Sequence, residues 1–359
     1  MQIGLVGLQY SGKTTLFNTL AGKEIDPALT GKAEPQIDVV KVPDDRLDIM
    51  TKIFQPKKEI YATIEVLDIP GLKMQEDGKV KITSEFLNNV KNNDALFYVV
   101  RQFKNDSVPH PMQNINPLRD IEFLETEFLF YDMEFLENRI KKLKKDIGKI
   151  KDEALKRELV VVEKCFEHIE QEHPLRTLNL SDDELKNLSG FQLLTLKKVA
   201  VAVNFDEDSI GDVEEILTKL KSNLSDDIEI IPFFAEIEYE LSQLDAEERN
   251  SFMEDYGIKD SALNKILNTS YKILGLHSFF TVGEDECRAW TIKKNYTAQQ
   301  AAGVIHTDFF KRFIRAEVVS YDDFMKYKSF PKCKEAGAWR LEGKEYIVAD
   351  GDILNIRHN

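Results

Sequence analysis

The 359-residue chain carries a net charge of -15 and 42% hydrophobic residues, a length that suggests two or three domains and a composition far from the disordered class. The acidic balance argues against indiscriminate binding to nucleic acid or membrane, and no run of about 18 apolar residues offers a membrane span. Cys165, Cys287 and Cys333 lie far apart with no CxxC pair, so reduced thiols in a cytoplasmic protein are expected, without a disulfide frame or zinc site.

In chain order, the first signal is IGLVGL, a short continuous apolar run that reads as a buried parallel strand. GLQYSGKT, residues 7–14, follows it and opens a predicted helix from about 13 to 21. It satisfies G-x-x-x-x-G-K-[ST] through Gly7, Gly12, Lys13 and Thr14. Glycine lets the backbone turn so that successive N–H groups, from Gln9, Tyr10 and Ser11 through Thr15, face phosphate oxygens. Lys13 supplies a cation for the β and γ phosphates, Thr14 a hydroxyl for Mg²⁺, and the helix start a partial positive charge. IDVVKVP, ATIEVLDI and ALFYVVRQF are further strands, which predicts an α/β doubly wound sheet with phosphates at the strand ends. LDIPG, residues 67–71, ends one of them. Asp68 is placed to hold Mg²⁺ through water, and the Gly71 amide to sense the γ-phosphate.

Near residue 119 the period changes. Leu129, Met133, Leu136, Ile140, Leu143 and Ile147 recur at spacings of four and three, as do Leu155, Leu159, Val162, Phe166 and Ile169. These heptad seams predict two antiparallel helices with a tip near Gly148. Residues 139–157, RIKKLKKDIGKIKDEALKR, make that tip basic: a solvated helix face or a prong for a phosphate surface. SDDE, residues 181–184, matches a capping box. KKVAVAVNF returns to the sheet and ends in NFDE, residues 204–207, where a guanine-reading site has N-K-x-D. Here Glu207 replaces the Asp and Phe205 the flanking Lys. Adenine lacks the adjacent donor pair that a carboxylate would read, so Asn204, Phe205 and Glu207 favour ATP. From about residue 277 short strands alternate with turns, which predicts a small α+β domain.

These motifs, with VPDDRLD, AEIEYELSQLD, QAAGVIHTDFFKRFIRAEVVSYDDF and AGAWRLEGKEYIVADGDIL, resemble the YchF, or Obg-like ATPase, family over nearly the whole chain. The resemblance implies a P-loop nucleotide-binding domain (residues 1–118 and 196–276), an inserted coiled-coil hairpin (119–195) and a C-terminal β-grasp, or TGS, domain (277–359). It implies an ATPase using Mg²⁺ with ATP and a ribosome partner; the basic residues of the arm and the TGS domain add an expected RNA contact, the absence of a long apolar run argues against a membrane, and a monomer is expected. In the TGS segment Lys311, Arg312 and Arg315 interleave with Phe309, Phe310 and Phe313, most of which read as core. The chain departs from the family around the γ-phosphate. Tyr10 stands where the family has Asn, which argues against monovalent-cation stimulation. Lys32 stands where a Thr ligates Mg²⁺, and the glycine-rich segment after DIPG is KMQEDGKVKITSEF. Leu72 cannot orient water as a GTPase glutamine does. The resemblance places a catalytic histidine at His110, beside Lys13. The expectation is secure nucleotide binding with weak intrinsic turnover. The alternatives are a nucleotide-gated ribosome- or RNA-binding module without useful hydrolysis, and an Obg-type GTPase.

Overall fold

The computed structural model describes residues 1–23, 34–73, 80, 82–149, 152–244, 248, 251–253 and 261–359. Lys32 and residues 74–79 and 81 of the segment after DIPG lie outside the described residues. One sheet has six strands: β1 (Gln2–Val6), β2 (Gln36–Val42), β4 (Ala62–Asp68), β5 (Ala95–Arg101), β6 (Lys198–Asn204) and β7 (Glu229–Phe233), in the order β2-β4-β1-β5-β6-β7. The pairs β1–β4, β1–β5, β5–β6 and β6–β7 are parallel. Central β5, ALFYVVR, is buried at every residue, as a parallel strand covered on both faces requires. The carboxyl ends of β1, β5, β6 and β7 therefore open on one edge, the place where such sheets bind ligands.

The heptad seams form α4 (Pro117–Ile147) and α5 (Glu153–Glu170). Asn116 caps α4 by accepting the Arg119 amide, with Pro117 at the first turn, and Gly148 ends it. At 31 residues α4 is about 46 Å long. Leu136 and Leu143 pack on Val162, Cys165 and Ile169 in a core separate from that of the sheet. At the base of the hairpin the buried Asp132 carboxylate accepts the Leu194 and Thr195 amides (3.0 and 2.7 Å) and the Thr195 hydroxyl (2.7 Å). The Ser181–Glu184 capping box is present.

A second six-stranded sheet has the order β11-β10-β12-β8-β9-β3. It is built from β3 (Lys58–Ile60), β8 (Leu276–Val282), β9 (Glu286–Lys293), β10 (Phe313–Ser320), β11 (Arg340–Glu342) and β12 (Asp352–His358). Helix Ala298–Ile305 packs Ala298 and Ala301 into its core. The strand anticipated within YIVADGDIL begins later, at Asp352, because Gly351 at φ 85° turns the chain first. Phe313 packs on this core, Phe309 stacks on His358 at 4.1 Å, and Phe310 is exposed, so the three aromatics are less buried than their apolarity suggested.

The chain forms two compact units: Met1–Asp38 with Glu65–Ile266, and Val39–Ile64 with Leu267–Asn359. Residues 39–64 thus cluster with the C-terminal residues, whereas the three-part reading placed them in the nucleotide-binding domain. The cause is visible within the second unit. The three-residue β3 pairs in parallel with β9, and α2 (Asp45–Phe54) packs on β8 and β9. Arg46 of VPDDRLD donates to both oxygens of Asp44 (2.9 and 2.8 Å) and to Asp350 (3.1 Å), and lies over the Phe280 ring.

Candidate nucleotide-binding site

A cavity of about 370 Å³ lies in the first unit, lined by residues 9–15, Asp68, Gly71, Phe103, Asn204 and Ala235 among others. The phosphate loop runs from β1 to α1 (Lys13–Leu20) through two residues in the left-handed region, Tyr10 at φ 65° and Gly12 at φ 96°. Gly12 is demanded twice, since a Cβ there would lie 2.2 Å from Asn204 Nδ2. Lys13 is buried and its ammonium donates to the Leu8 carbonyl at 2.8 Å. Burial pushes its pKa down to about 8, against the pull of Asp68. Thr14 donates its hydroxyl to Asp68 Oδ2 at 2.7 Å. Burial raises the Asp68 pKa, with Lys13 and Thr14 opposing. Asp68 Oδ1 and Ser11 Oγ are buried without a hydrogen-bond partner among the described residues. DIPG approaches so closely that a Cβ on Gly71 would sit 2.8 Å from both Gln9 Cα and Lys13 Nζ. The Lys13 ammonium and a carboxylate–hydroxyl pair thus converge on one end of the cavity, an arrangement suited to a polyphosphate, whereas the Gln9 amide, expected to face phosphate, donates to the Leu72 carbonyl at 2.8 Å.

The other end is assembled by Asn204. Its Nδ2 donates to the Ser11 carbonyl (3.3 Å) and its Oδ1 accepts the Ala235 amide (3.1 Å), which joins the phosphate loop to the start of α8 (Ala235–Gln243). Its backbone carbonyl accepts the amides of Gln102 and Phe103. Arg101 then shapes the cavity wall, donating to the carbonyls of Phe103 (3.0 Å), Val108 (2.8 Å) and Asn105 (3.2 Å). Arg101, Phe103, Lys104 and Glu236 escaped the sequence reading. A basic residue ending a buried strand was the available signal for Arg101; the others depend on tertiary proximity alone.

Of the anticipated site residues, Gln9, Tyr10, Ser11, Gly12, Lys13, Thr14, Thr15, Asp68, Gly71, Asn204 and Phe205 line this cavity; Glu207 and His110 do not. Tyr10 is 49% exposed. Phe205 is almost wholly buried against Phe234, so it presents little of its ring to a base. The chain turns after β6, which sends Glu207 outward and leaves Asp206 at the cavity. His110, anticipated as a catalytic group, is buried. Its Nδ1 accepts the Met112 amide (3.1 Å), so Nε2 carries the proton and donates to Asp120 (3.0 Å). Asp120 in turn accepts Arg119. Leu72 is held in the core beside Leu8, its amide on the Gly7 carbonyl.

Comparison with known proteins gives this site a lineage. Residues 2–164 match the family described as 50S ribosome-binding GTPase, and residues 276–359 match the YchF C-terminal family, described as a protein of unknown function. "Ribosome-binding ATPase YchF" of Pasteurella multocida is 40% identical over 99% of this chain and 98% of its own. The Bacillus subtilis protein of that name is 38% identical over the same shares. The chain belongs to the YchF family. The solved structure of the Schizosaccharomyces pombe YchF GTPase superposes with a TM-score of 0.88 at 32% identity, over 99% of this chain and 97% of that one. A Pyrococcus horikoshii GTP-binding protein, 20% identical with a TM-score of 0.58 over the whole of both chains, shares the fold. YchF relatives are thus titled both ATPase and GTPase.

Proposed function

We propose that this YchF chain is an ATP-binding P-loop ATPase whose nucleotide state governs association with the ribosome. The observation that carries the nucleotide reading is the convergence of Lys13, Thr14 and Asp68 at one end of a cavity whose walls are joined by Asn204. Mg²⁺ fits these residues: it takes hard oxygen donors and keeps most of its waters, and the buried Asp68 Oδ1, beside the Thr14 hydroxyl, lacks a partner among the described residues. Thr14, directly, and Asp68, through water, would hold it. When bound, it neutralises charge on the β and γ phosphates. Lys13 adds a second cation and the loop amides orient the phosphates. Bacterial relatives titled ribosome-binding ATPase support both the activity and the partner.

Turnover is expected to be slow, because neither Leu72 nor His110 presents a free group to an attacking water. A shortfall of about 3 kcal/mol at the transition state costs roughly a hundredfold in rate. The same two residues favour, as a second reading, a nucleotide-gated binding module. Calorimetry with Mg-ATP and Mg-GTP side by side tests the base: tighter ATP is expected, and tighter GTP would make this an Obg-type GTPase. Phosphate release with and without ribosomes tests the enzyme. Stimulated ATP turnover is expected, and none in either condition would leave the binding module.

A further inference from the structure

We propose that Glu236 sets the purine preference of the cavity, accepting the exocyclic amino group of adenine and repelling the six-position oxygen of guanine. The inference rests on the ATP reading above and names the residue that enforces it. Four carboxylates line the cavity among the described residues: Glu34, Asp68, Asp206 and Glu236. Asp68 is bound to Thr14 at the phosphate end. Glu34 leads into β2, which in the sheet order lies on the far side of β1 from β6 and β7. Only Asp206 and Glu236 therefore stand at the end built by β6 and the start of α8.

Asp206 is already engaged. Its Oδ2 accepts the Lys104 amide at 2.9 Å and its Oδ1 accepts the Ser209 hydroxyl. Burial pushes its pKa up, but these bonds outweigh burial and hold it below the ordinary carboxylate value. The Glu236 side chain is exposed and makes no hydrogen bond or ion pair among the described residues. It stands in the first turn of α8, where the helix dipole favours a negative charge. The preceding residue, Ala235, is fixed to Asn204 and through it to the phosphate loop, so the Glu236 backbone is held in register with that loop. What α8 presents at this end of the cavity is thus an acceptor without a donor.

Adenine and guanine differ at the six-position, where one carries an amino donor and the other an acceptor oxygen. A carboxylate there gains a charge-assisted hydrogen bond from adenine and opposes guanine with a second acceptor. Glutamine can rotate its amide to serve either base, so Glu236→Gln should abolish the discrimination.

The test is calorimetry on the full chain with Mg-ATP, Mg-GTP and Mg-ITP, comparing wild type, Glu236→Gln and Glu207→Gln. ITP keeps the six-position oxygen and lacks the 2-amino group. Wild type should prefer ATP to both competitors. Glu236→Gln should cut both ratios by about tenfold or more, the worth of one charge-assisted bond. Glu207→Gln should leave them within roughly twofold. Wild-type ratios retained in Glu236→Gln would overturn the assignment while leaving the ATP reading intact. So would weaker GTP binding in that variant, since the carboxylate would then be reading guanine's paired donors. A wild type without ATP preference would sink the ATP reading, and this inference with it.

Discussion

At the scale of single residues, His110 is the sharpest departure from what the sequence implied. His110, flanked by Pro109 and Pro111 after a strand, matches the family's catalytic histidine, but here both ring nitrogens are bonded, Nδ1 to the Met112 amide and Nε2 to Asp120 of α4. His110→Ala would leave the Met112 amide and one Asp120 oxygen unpaired, a loss of about 2–3 kcal/mol. The expected outcome is a lower unfolding midpoint and weaker ATP binding, with kcat at saturating ATP little changed. A fall in kcat alone, at unchanged affinity and midpoint, would restore the catalytic role. The phosphate loop was legible because its residues are contiguous and each type is demanded by local geometry: Gly12 by its positive φ, Lys13 by its charge, Thr14 by its hydroxyl. The base end was not. Asn204, Phe103 and Glu236 meet only in three dimensions, and the turn after β6 decides whether Asp206 or Glu207 faces inward, a difference of one residue that spacing does not resolve.

At the scale of elements, the hairpin was read well because heptad spacing is a strong periodic signal, with caps at Asn116 and Asp152 to bound it. What fastens it was hidden: Asp132 looks like an ordinary helix acid in sequence. Burial raises its pKa to about 6, with its three hydrogen bonds opposing. The folded state therefore binds more protons than the unfolded chain between pH about 4 and 6, and this group's contribution to stability declines as pH rises through that window and is flat above it. Asp132→Ala would strand the Leu194 and Thr195 amides, at a cost of about 2–4 kcal/mol. Urea unfolding at pH 5 and 7.5 should show that loss at both pH values, smaller at the higher one. A gap that is equal at both, or larger at pH 7.5, would contradict the assigned proton. The basic arm is less bare than its sequence. Lys141 and Lys144 pair with Glu137 and Glu163, and Lys156 with Glu153, whereas Lys142, Lys145 and Lys149 make no ion pair among the described residues. If the proposed ribosome contact uses this arm, Lys142→Glu with Lys145→Glu should weaken association severalfold and flatten its dependence on salt. Co-sedimentation that is indifferent to both would remove the arm from the interface.

At the scale of the whole chain, the net charge of -15 makes any phosphate contact a local matter, since the average field is repulsive. The division into units was the least legible feature. Nothing in VPDDRLD reveals that Arg46 will meet Asp350, or in Lys58–Ile60 that a three-residue strand will find a sheet at the other end of the chain. Arg46→Ala would leave two carboxylates without their shared cation, costing about 1–3 kcal/mol. Hydrogen exchange should show faster opening of residues 39–64, the segment that Arg46 fastens. Exchange unchanged there would mean that α2 and β3 hold without it. The register of β3 also imposes a schedule on biosynthesis. Lys57 and Asp285, which pair just before this register begins, are 228 residues apart, so at about 5–20 residues per second the early strand waits roughly 11–46 s for its partner to be synthesised. Through that interval a nascent chain can fold its phosphate loop while residues 39–64 stay unclaimed, so the C-terminal sheet is the last part of the molecule able to close.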